Sequence, residues 1–254
     1  MNLRLRKLAK AVLALSGSSV HRRDMFGANF ADDLGALART TNRPIDVIFD
    51  VGANHGLMTQ YFRRHFPEAR IHCFEPNPFL YASLQQSFAP DKRIVVVPKA
   101  LADAPGTADF YCRENDLLSS LSPITPTTRK FPSAASKIEV TVSTVDEYVA
   151  NAAITKLALI KIDTEGHEVE VLRGAEETLR RHAVDYVYLE FNSIVSTELG
   201  LPLMRAAEIL EAHGYHFIAT YTDSVSLADG HVVANALFSR PVRTVSPEAA
   251  ERAL

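Results

Sequence analysis

The chain lacks the features that define several large protein classes. Its 254 residues include only two cysteines, Cys73 and Cys112, too few for a disulfide framework or a cysteine-rich zinc site. No apolar run approaches the roughly 20 residues of a membrane-spanning helix. The net charge of −3 gives no electrostatic basis for nucleic-acid binding. With 47% hydrophobic residues the chain can bury one large core, and its cysteine usage suits a reducing, cytoplasmic compartment.

Two phosphate-binding signatures are also absent. The glycine turn from Gly52 to Gly56 is Gly-x-x-x-Gly, so it is neither the dinucleotide fingerprint nor a phosphate loop. It nevertheless joins an apolar strand pattern at 45–51 to a helical pattern at 56–66, which is the context of a small-molecule site. Asp50 would repel a phosphate and suits a cationic ligand rich in donors, such as S-adenosylmethionine. An ordinary strand–helix turn is the alternative.

A second acid stands at the end of the next predicted strand, at 70–75. Glu75 lies 25 positions after Asp50. In nucleoside-binding α/β folds, an acid at this position accepts hydrogen bonds from the two ribose hydroxyls. Pro76 and Pro78 end the strand. Alone, Glu75 could be a surface carboxylate, but together with Asp50 it gives a more specific pattern.

A third segment carries the most distinctive motif. Residues 157–175 contain Lys-Ile-Asp-x-Glu-Gly-x-Glu-x-x-x-Leu-x-Gly-Ala. With Asp50-Val-Gly-Ala-Asn-His-Gly56 and Phe74-Glu-Pro-Asn77, this run strongly resembles the FkbM family of S-adenosylmethionine-dependent methyltransferases. Tyr188-Leu-Glu-Phe191 and Asn235-Ala-Leu-Phe238 are also similar to that family. The resemblance extends over residues 42–240.

The resemblance implies an α/β fold of the class I methyltransferase type. This is a doubly wound, Rossmann-like domain with a mainly parallel seven-stranded sheet whose last strand is antiparallel, and the alternating strand and helix patterns agree with it. The methyltransferase domain is predicted at 42–240, between an N-terminal helical extension at 1–41 and a tail at 241–254. Residues 107–112 and 138–142 are expected to form an added hairpin-like pair.

Two further segments have several interpretations. Residues 1–20 mix arginines and lysines with leucines, which favours first a packed helix, then a basic amphipathic helix on an anionic membrane surface, and last a cleaved signal. Residues 113–137 are rich in serine, threonine and proline, and are interpreted as a lid over the acceptor or as a disordered insertion. The expected partner is a small-molecule or glycan acceptor, with homo-oligomerisation and peripheral membrane contact left open.

The motifs together predict a cofactor site. The ligand is expected to be S-adenosylmethionine, released as S-adenosylhomocysteine. The residues predicted to bind it are Asp50, Gly52, Ala53, Asn54, Gly56, Glu75, Pro76, Asn77, Ala100 and Asp163.

The catalytic prediction centres on the end of the strand at 156–162. A hydroxyl acceptor is a weak nucleophile that needs a base or a metal to remove its proton. Asp163, and Glu165 and His167 on the turn after it, are the candidate bases. Alternatively, Asp163, Glu190 and Asn192 offer oxygen ligands to Mg²⁺. Both interpretations stay open.

A lysine and two glutamates next to the predicted catalytic residues are given structural roles. Lys161 is interpreted as a strand residue whose ammonium pairs with a nearby carboxylate, and contact with the acceptor is the lesser alternative. Glu168 and Glu170 are interpreted as acids in a first helical turn, where they complement the helix dipole. None of the three is assigned to the site.

The resemblance implies O-methylation, because FkbM-like enzymes act mostly on hydroxyls of sugars, glycolipids or polyketide-type products. One rival is N-methylation of a small amine or a protein, which would favour Asn/Asp-Pro-Pro-Tyr/Phe after the fourth core strand. That position reads Asp163-Thr-Glu-Gly166 here. Another rival is a non-catalytic binding module, against which the intact Asp50, Glu75 and Asp163 argue.

Overall fold

The computed structural model describes residues 26–112, 119–121, 136–192, 202–226 and 231–241. The predicted helix at 1–20, most of the predicted lid at 113–137 and all but the first residue of the tail lie outside these ranges. Within them, no helix is both long and apolar enough to cross a membrane.

The described residues form two sheets and seven helices. The larger sheet consists of β1 (Val47–Val51), β2 (Arg70–Phe74), β3 (Ile94–Val97), β7 (Leu157–Ile162), β8 (Val184–Asn192), β9 (His216–Ser226) and β10 (His231–Ser239). The smaller sheet consists of β4 (Ala100–Leu101), β5 (Gly106–Cys112) and β6 (Ser136–Ser143). The helices are α1 (Phe30–Thr41), α2 (Leu57–His65), α3 (Pro78–Phe88), α4 (Val145–Asn151), α5 (Glu168–Arg173), α6 (Glu176–Arg180) and α7 (Pro202–Ala212).

The larger sheet has the predicted topology. Its strand order is β3-β2-β1-β7-β8-β10-β9. Neighbours from β3 to β8 pair in parallel, whereas β10 is antiparallel to both β8 and β9. This confirms a mainly parallel seven-stranded sheet with an antiparallel last strand. The chain runs outward from β1 to β3 and then returns to β7, so β1 and β7 flank the switch point where α/β sheets bind ligands.

Apolar residues bury both faces of this sheet. All six residues of β7 are buried, as expected for a central parallel strand covered on both sides. Phe49 and Val51 belong to a core with the helices α5 to α7, and Ile48 packs on the other face with Phe62 of α2 and Leu34 of α1. The two cores hold the carboxyl ends of β1 and β7 side by side.

The smaller sheet confirms the predicted hairpin-like pair. β5 and β6 are antiparallel, with Gly106 opposite Val142 and Cys112 opposite Ser136. An isolated bridge between Tyr111 and Ser120 attaches the described residues 119–121 to β5. This sheet therefore brings part of the predicted lid region to the edge of the larger sheet.

The sequence pattern predicts a single helix over residues 167–181, but the structure divides this segment into α5 and α6. Gly174 lies between them, and a Cβ at this position would be 2.0 Å from the carbonyl oxygen of Ala102. The chain bends where another backbone segment passes against it. That contact is between residues distant in sequence, so the local helical pattern does not reveal it.

Candidate active site

A cavity of about 330 Å³ opens at the carboxyl ends of β1, β2 and β7. Its volume is within the usual range of small-molecule sites. The predicted site residues in its wall are Gly52, Asn54, Glu75, Pro76, Ala100, Asp163, Glu165, His167 and Glu190. Three segments far apart in sequence thus converge on one cavity, because parallel strands end at the same edge of the sheet.

Glu75 is held rigidly at one side of the cavity. The backbone N–H of Asn54 donates to Glu75 Oε2 at 2.8 Å, and the N–H of Asn77 donates to Oε1 at 2.9 Å. Burial raises the pKa of Glu75 to about 7, although both hydrogen bonds and Lys161 act in the opposite direction. Each carboxylate oxygen retains acceptor capacity, so Glu75 can receive two further hydrogen bonds from a diol.

Asp50 is predicted to contact the cofactor, but the structure places its side chain away from the cavity. Asp50 is fully buried and lies outside the cavity wall, whereas its neighbour Val51 lines it. Successive side chains of a strand point to opposite faces of the sheet, so Asp50 faces α2. There the hydroxyl of Thr59 donates to its Oδ2 at 2.6 Å, and Lys161 Nζ lies 3.2 Å from Oδ1.

Three other predicted cofactor residues lie behind the wall rather than in it. Ala53 packs in a small apolar cluster with Leu84 of α3. A Cβ at Gly56 would be 2.7 Å from the Leu84 side chain, so this glycine allows α3 to approach the turn. Asn77 caps the start of α3 with its side chain and donates its N–H to Glu75. These residues shape the turn, and their contact with the cofactor stays a prediction.

Gly52 is required by a contact between the two strand ends. Its φ is +73°, and a Cβ there would lie 1.8 Å from the carbonyl oxygen of Asp163. Any side chain would therefore separate the turn after β1 from the end of β7. This contact requires glycine independently of the predicted cofactor-binding role of Gly52, which also lines the cavity.

Lys161 is buried beneath this contact, and its predicted pairing with a carboxylate is confirmed. Its Nζ lies 3.2 Å from both Asp50 Oδ1 and Asp163 Oδ2, and 3.0 Å from the carbonyl oxygen of Gly52. Burial by itself would lower the pKa of Lys161, but the two carboxylates outweigh it and the pKa is raised. The side chain is therefore an ammonium.

Three carboxylates converge on the other side of the cavity. Oxygens of Asp163, Glu165 and Glu190 lie within 4.8 Å of one another. Burial, then the charges of Asp163 and Glu165, raise the pKa of Glu190, which is hydrogen-bonded to Asp163. Glu190 therefore carries a proton at neutral pH and shares it with Asp163. The side chain of Asn192, the third predicted magnesium ligand, lies outside the described part of the chain.

The turn between β7 and α5 is organised by Glu168. Its Oε1 accepts hydrogen bonds from the N–H of Thr164 at 3.0 Å, the Thr164 hydroxyl at 3.1 Å and the N–H of Gly166 at 3.1 Å. Glu168 is buried, and its role is thus more specific than the predicted compensation of a helix dipole. His167 follows on this turn, and burial lowers its pKa, so its imidazole is neutral at pH 7.

Several wall residues were not anticipated from the sequence. They are Val51, Phe74, Leu80, Lys99, Leu101, Phe110, Ser119, Ser120, Leu121, Thr164 and Val233. Phe110, Ser120 and Leu121 come from the smaller sheet and the residues bridged to it. The available signal was the prediction of a lid at 113–137, which contains Ser119, Ser120 and Leu121. Packing of one sheet over another is not encoded in local spacing.

The chain matches a described protein family over most of its length. The family profile described as the methyltransferase FkbM domain matches residues 50–217. This range contains both the turn after β1 and the carboxylates at the ends of β7 and β8.

Individual relatives agree with the family match. The 2-O-methyltransferase NoeI of Sinorhizobium fredii is 26% identical, with 82% of this chain and 83% of NoeI covered. The 31-O-demethyl-FK506 methyltransferase FkbM of Streptomyces tacrolimicus is 28% identical, with 76% and 81% covered. The crystal structure of Aeropyrum pernix fibrillarin with natively bound S-adenosyl-L-methionine aligns at 14% identity and a TM-score of 0.44, covering 76% of this chain and 66% of that chain.

Proposed function

Because the chain belongs to the FkbM methyltransferase family, we propose that it transfers a methyl group from S-adenosylmethionine to a hydroxyl of a neutral acceptor. The observation that carries this proposal is that Glu75, after β2, and the Asp163–Glu190 pair, at β7 and β8, line one cavity with β1 between them. One side suits a ribose diol, and the other suits a cationic centre and the proton of an incoming hydroxyl. No other arrangement of acids in the described ranges combines these two features.

The cavity fits the proposed cofactor in chemistry as well as size. Glu75 would accept hydrogen bonds from the ribose hydroxyls, since its orientation is already fixed by two backbone N–H groups. The apolar wall residues Phe74, Leu80 and Leu101 would contact the adenine ring. The carboxylates at the ends of β7 and β8 would stabilise the positive charge of the methionine portion.

When bound, S-adenosylmethionine supplies an electrophilic methyl carbon and a neutral thioether leaving group. The residues of this chain must then align the acceptor oxygen with that carbon and take its proton. Asp163 is suited to the second task because its side chain lies in the cavity wall, 3.2 Å from the ammonium of Lys161. Glu190, which already holds a proton, orients Asp163. His167 is the second candidate base, since it is neutral and lies in the same wall.

The electrostatics of the wall favour an uncharged acceptor. Asp163, Glu165 and Glu190 lie together, and an acceptor carboxylate or phosphate there would be repelled. Sugar hydroxyls and hydroxyls of polyketide-type products meet this condition. The names of the two relatives, a 2-O-methyltransferase and a 31-O-demethyl-FK506 methyltransferase, support a hydroxyl as the acceptor group.

Mg²⁺ assistance is the competing mechanism, and it rests on the same three acids. The ammonium of Lys161 lies 3.2 Å from Asp163, so it already balances part of the negative charge that a Mg²⁺ ion would balance. We therefore assign proton removal to the protein. Turnover that disappears in EDTA and returns with Mg²⁺ would reverse this assignment.

The direct test begins with binding of S-adenosylmethionine to the full chain by calorimetry. We expect saturable binding that Glu75→Ala weakens, with Glu170→Ala as a control because Glu170 lies outside the cavity wall. Absence of heat at millimolar ligand would contradict the cofactor assignment.

A second experiment identifies the acceptor. Transfer of radiolabelled methyl should be screened over neutral glycosides, macrolide-type polyols, uronic acids and primary amines. We expect products among the neutral hydroxyl compounds. Turnover confined to amines or to acidic sugars would overturn the proposed acceptor while leaving the cofactor assignment intact.

A further inference from the structure

Lys161 connects the proposed cofactor turn with the proposed catalytic carboxylate. Only 3% of this residue is exposed. Its ammonium lies 3.2 Å from Asp50 and from Asp163, and it contacts the carbonyl oxygens of Gly52 at 3.0 Å and Val51 at 3.4 Å. These partners belong to two neighbouring strands and to the turn after β1.

The register of the sheet explains how one side chain reaches both sites. Lys161 stands directly opposite Asp50 in the parallel β1–β7 pair. Gly52 and Asp163, two positions further along each strand, are in backbone contact. An ammonium donates three hydrogen bonds, and here those donors are directed at a carboxylate below the turn, a carbonyl in the turn and the carboxylate at the cavity.

A purely structural role does not require a charge at this position. Burying an ion pair costs desolvation, and apolar side chains of similar volume often stabilise a core as well or better. The two carboxylates also have different environments, since Asp50 is fully buried whereas the side chain of Asp163 is 29% exposed. Only Asp163 lies in the cavity wall, so the ammonium joins a buried anchor to a group that faces the acceptor.

We propose that Lys161 is a positioning residue that fixes the Asp163 carboxylate relative to the Gly52 turn, so that the base and the bound methyl donor are held in one geometry. Asp50 is the anchor that fixes Lys161. Lys161 acts through Asp163 and does not touch the substrate. The inference rests on the proposed methyl transfer, because it assigns Lys161 to the alignment of that reaction.

The test compares Lys161→Met with Lys156→Met in the full chain. Lys156 precedes the same strand and lies 2.8 Å from the buried carboxylate of Asp185, which makes it a matched control far from the cavity. We expect kcat of Lys161→Met to fall about 100-fold, since a misplacement of about 1 Å can cost that much. The Kd for S-adenosylmethionine should change by a much smaller factor. Lys156→Met should lower the melting temperature and leave kcat unchanged.

The anchoring role of Asp50 is tested by a double-mutant cycle. Asp50→Asn alone should lower kcat less than Lys161→Met, and Asp50→Asn with Lys161→Met should be no worse than Lys161→Met alone. Lys161→Arg, which keeps the charge, provides a second variant if Lys161→Met does not fold, and it should retain more turnover than Asp163→Asn.

Each result distinguishes this inference from the proposed function. If the wild-type chain neither binds S-adenosylmethionine nor transfers methyl groups, the proposed function is wrong. If the wild type is active and folded Lys161→Met keeps its kcat, or loses kcat and cofactor affinity by the same factor, only the positioning role is overturned. Independent, additive effects of Asp50→Asn and Lys161→Met would remove Asp50 from the proposal.

Discussion

Two charge clusters, each containing a fully buried carboxylate, lie at opposite edges of the same sheet and have opposite compositions. The catalytic-edge cluster, defined as Asp50, Lys161, Asp163, Glu165 and Glu190, sets one lysine against four acids. The Asp185 cluster, defined as Arg43, Lys156, Asp185 and Arg240, sets one fully buried acid against three cations. Acids are in excess where the parallel strands end, and cations are in excess where they begin.

The Asp185 cluster has the features of a structural clamp. Arg43 precedes β1, Lys156 precedes β7 and Arg240 follows β10, so one carboxylate at the start of β8 joins three other strands. Arg43 also donates to the carbonyl oxygens of Arg240 at 3.1 Å and Pro241 at 2.6 Å. These groups satisfy one another, and the cluster lines none of the cavity at the other edge.

The catalytic-edge cluster concentrates carboxylates in the wall of the cavity. Glu190 relieves part of the repulsion by holding a proton, and Lys161 balances part of the remainder. Such a concentration of like charge costs stability, and it is typical of sites whose chemistry needs it. The contrast therefore predicts that substitutions in the catalytic-edge cluster mainly affect activity, whereas equivalent substitutions in the Asp185 cluster mainly affect stability.

The largest effect is expected for Asp163→Asn. The amide keeps the shape of the side chain but cannot accept the hydroxyl proton, so kcat should fall by about 10² to 10⁴-fold. Cofactor affinity should fall by a much smaller factor, because Glu165 and Glu190 remain beside the methionine portion, and the melting temperature should change little. Steady-state kinetics measures kcat, calorimetry measures cofactor affinity, and thermal unfolding gives the melting temperature. Glu170→Gln on the neighbouring helix is the matched control. A loss of less than tenfold would transfer the role of base to His167.

The corresponding substitution at the other edge is Asp185→Asn. Removing the only acid leaves three cations without their buried partner, which should lower the free energy of unfolding by about 3–5 kcal/mol. We expect kcat to be unchanged at temperatures where the protein remains folded. Denaturant unfolding checks this against Asp109→Asn, whose exposed pair with Lys137 should contribute little to stability because it is screened by solvent. If Asp185→Asn and Asp109→Asn lost the same free energy of unfolding, the Asp185 cluster would not be a structural clamp and the contrast between the clusters would be wrong.

A smaller effect concerns the pH dependence of cofactor binding. Burial raises the pKa of Glu75 to about 7, and ribose hydroxyls donate best to its ionised form. Affinity for S-adenosylmethionine should therefore increase about tenfold from pH 6 to pH 8, and Glu75→Gln should remove this dependence. In the unliganded protein, the pH dependence of stability runs in the opposite direction. The contribution of Glu75 to the free energy of unfolding is fully present below its unfolded pKa and is lost as the pH rises through 7. Calorimetry across this range measures the first effect, and thermal unfolding measures the second.

The smallest change in activity is expected for Glu190→Gln. Glutamine resembles the protonated acid that Asp163 and Glu165 enforce, so it can donate the same hydrogen bond to Asp163. We expect kcat and its pH dependence to remain close to those of the wild type. A loss comparable to that of Asp163→Asn would mean that Glu190 acts as a carboxylate, and it would favour the metal interpretation of the site.

Strand ends made the outline of the site predictable from sequence. Glu75, Asp163 and Glu190 each follow an apolar run, and parallel strands bring such ends together. The position of Asp50 was not predictable in the same way, because its contact with Lys161 depends on strand register. The clash that requires Gly52 to be a glycine and the contact that divides α5 from α6 at Gly174 are likewise long-range. Local pattern identified which residues were unusual, but not which atoms they meet.

The antiparallel pair of β5 and β6 has a consequence for how this enzyme can diversify. Cys112 and Ser136 are direct partners in that ladder, so the two ends of the interval 113–135 lie side by side. Lengthening such an interval adds only a slowly growing closure entropy, and it leaves the register of both sheets intact. A change in its length among homologues therefore conserves the strand ends that carry Glu75, Asp163 and Glu190.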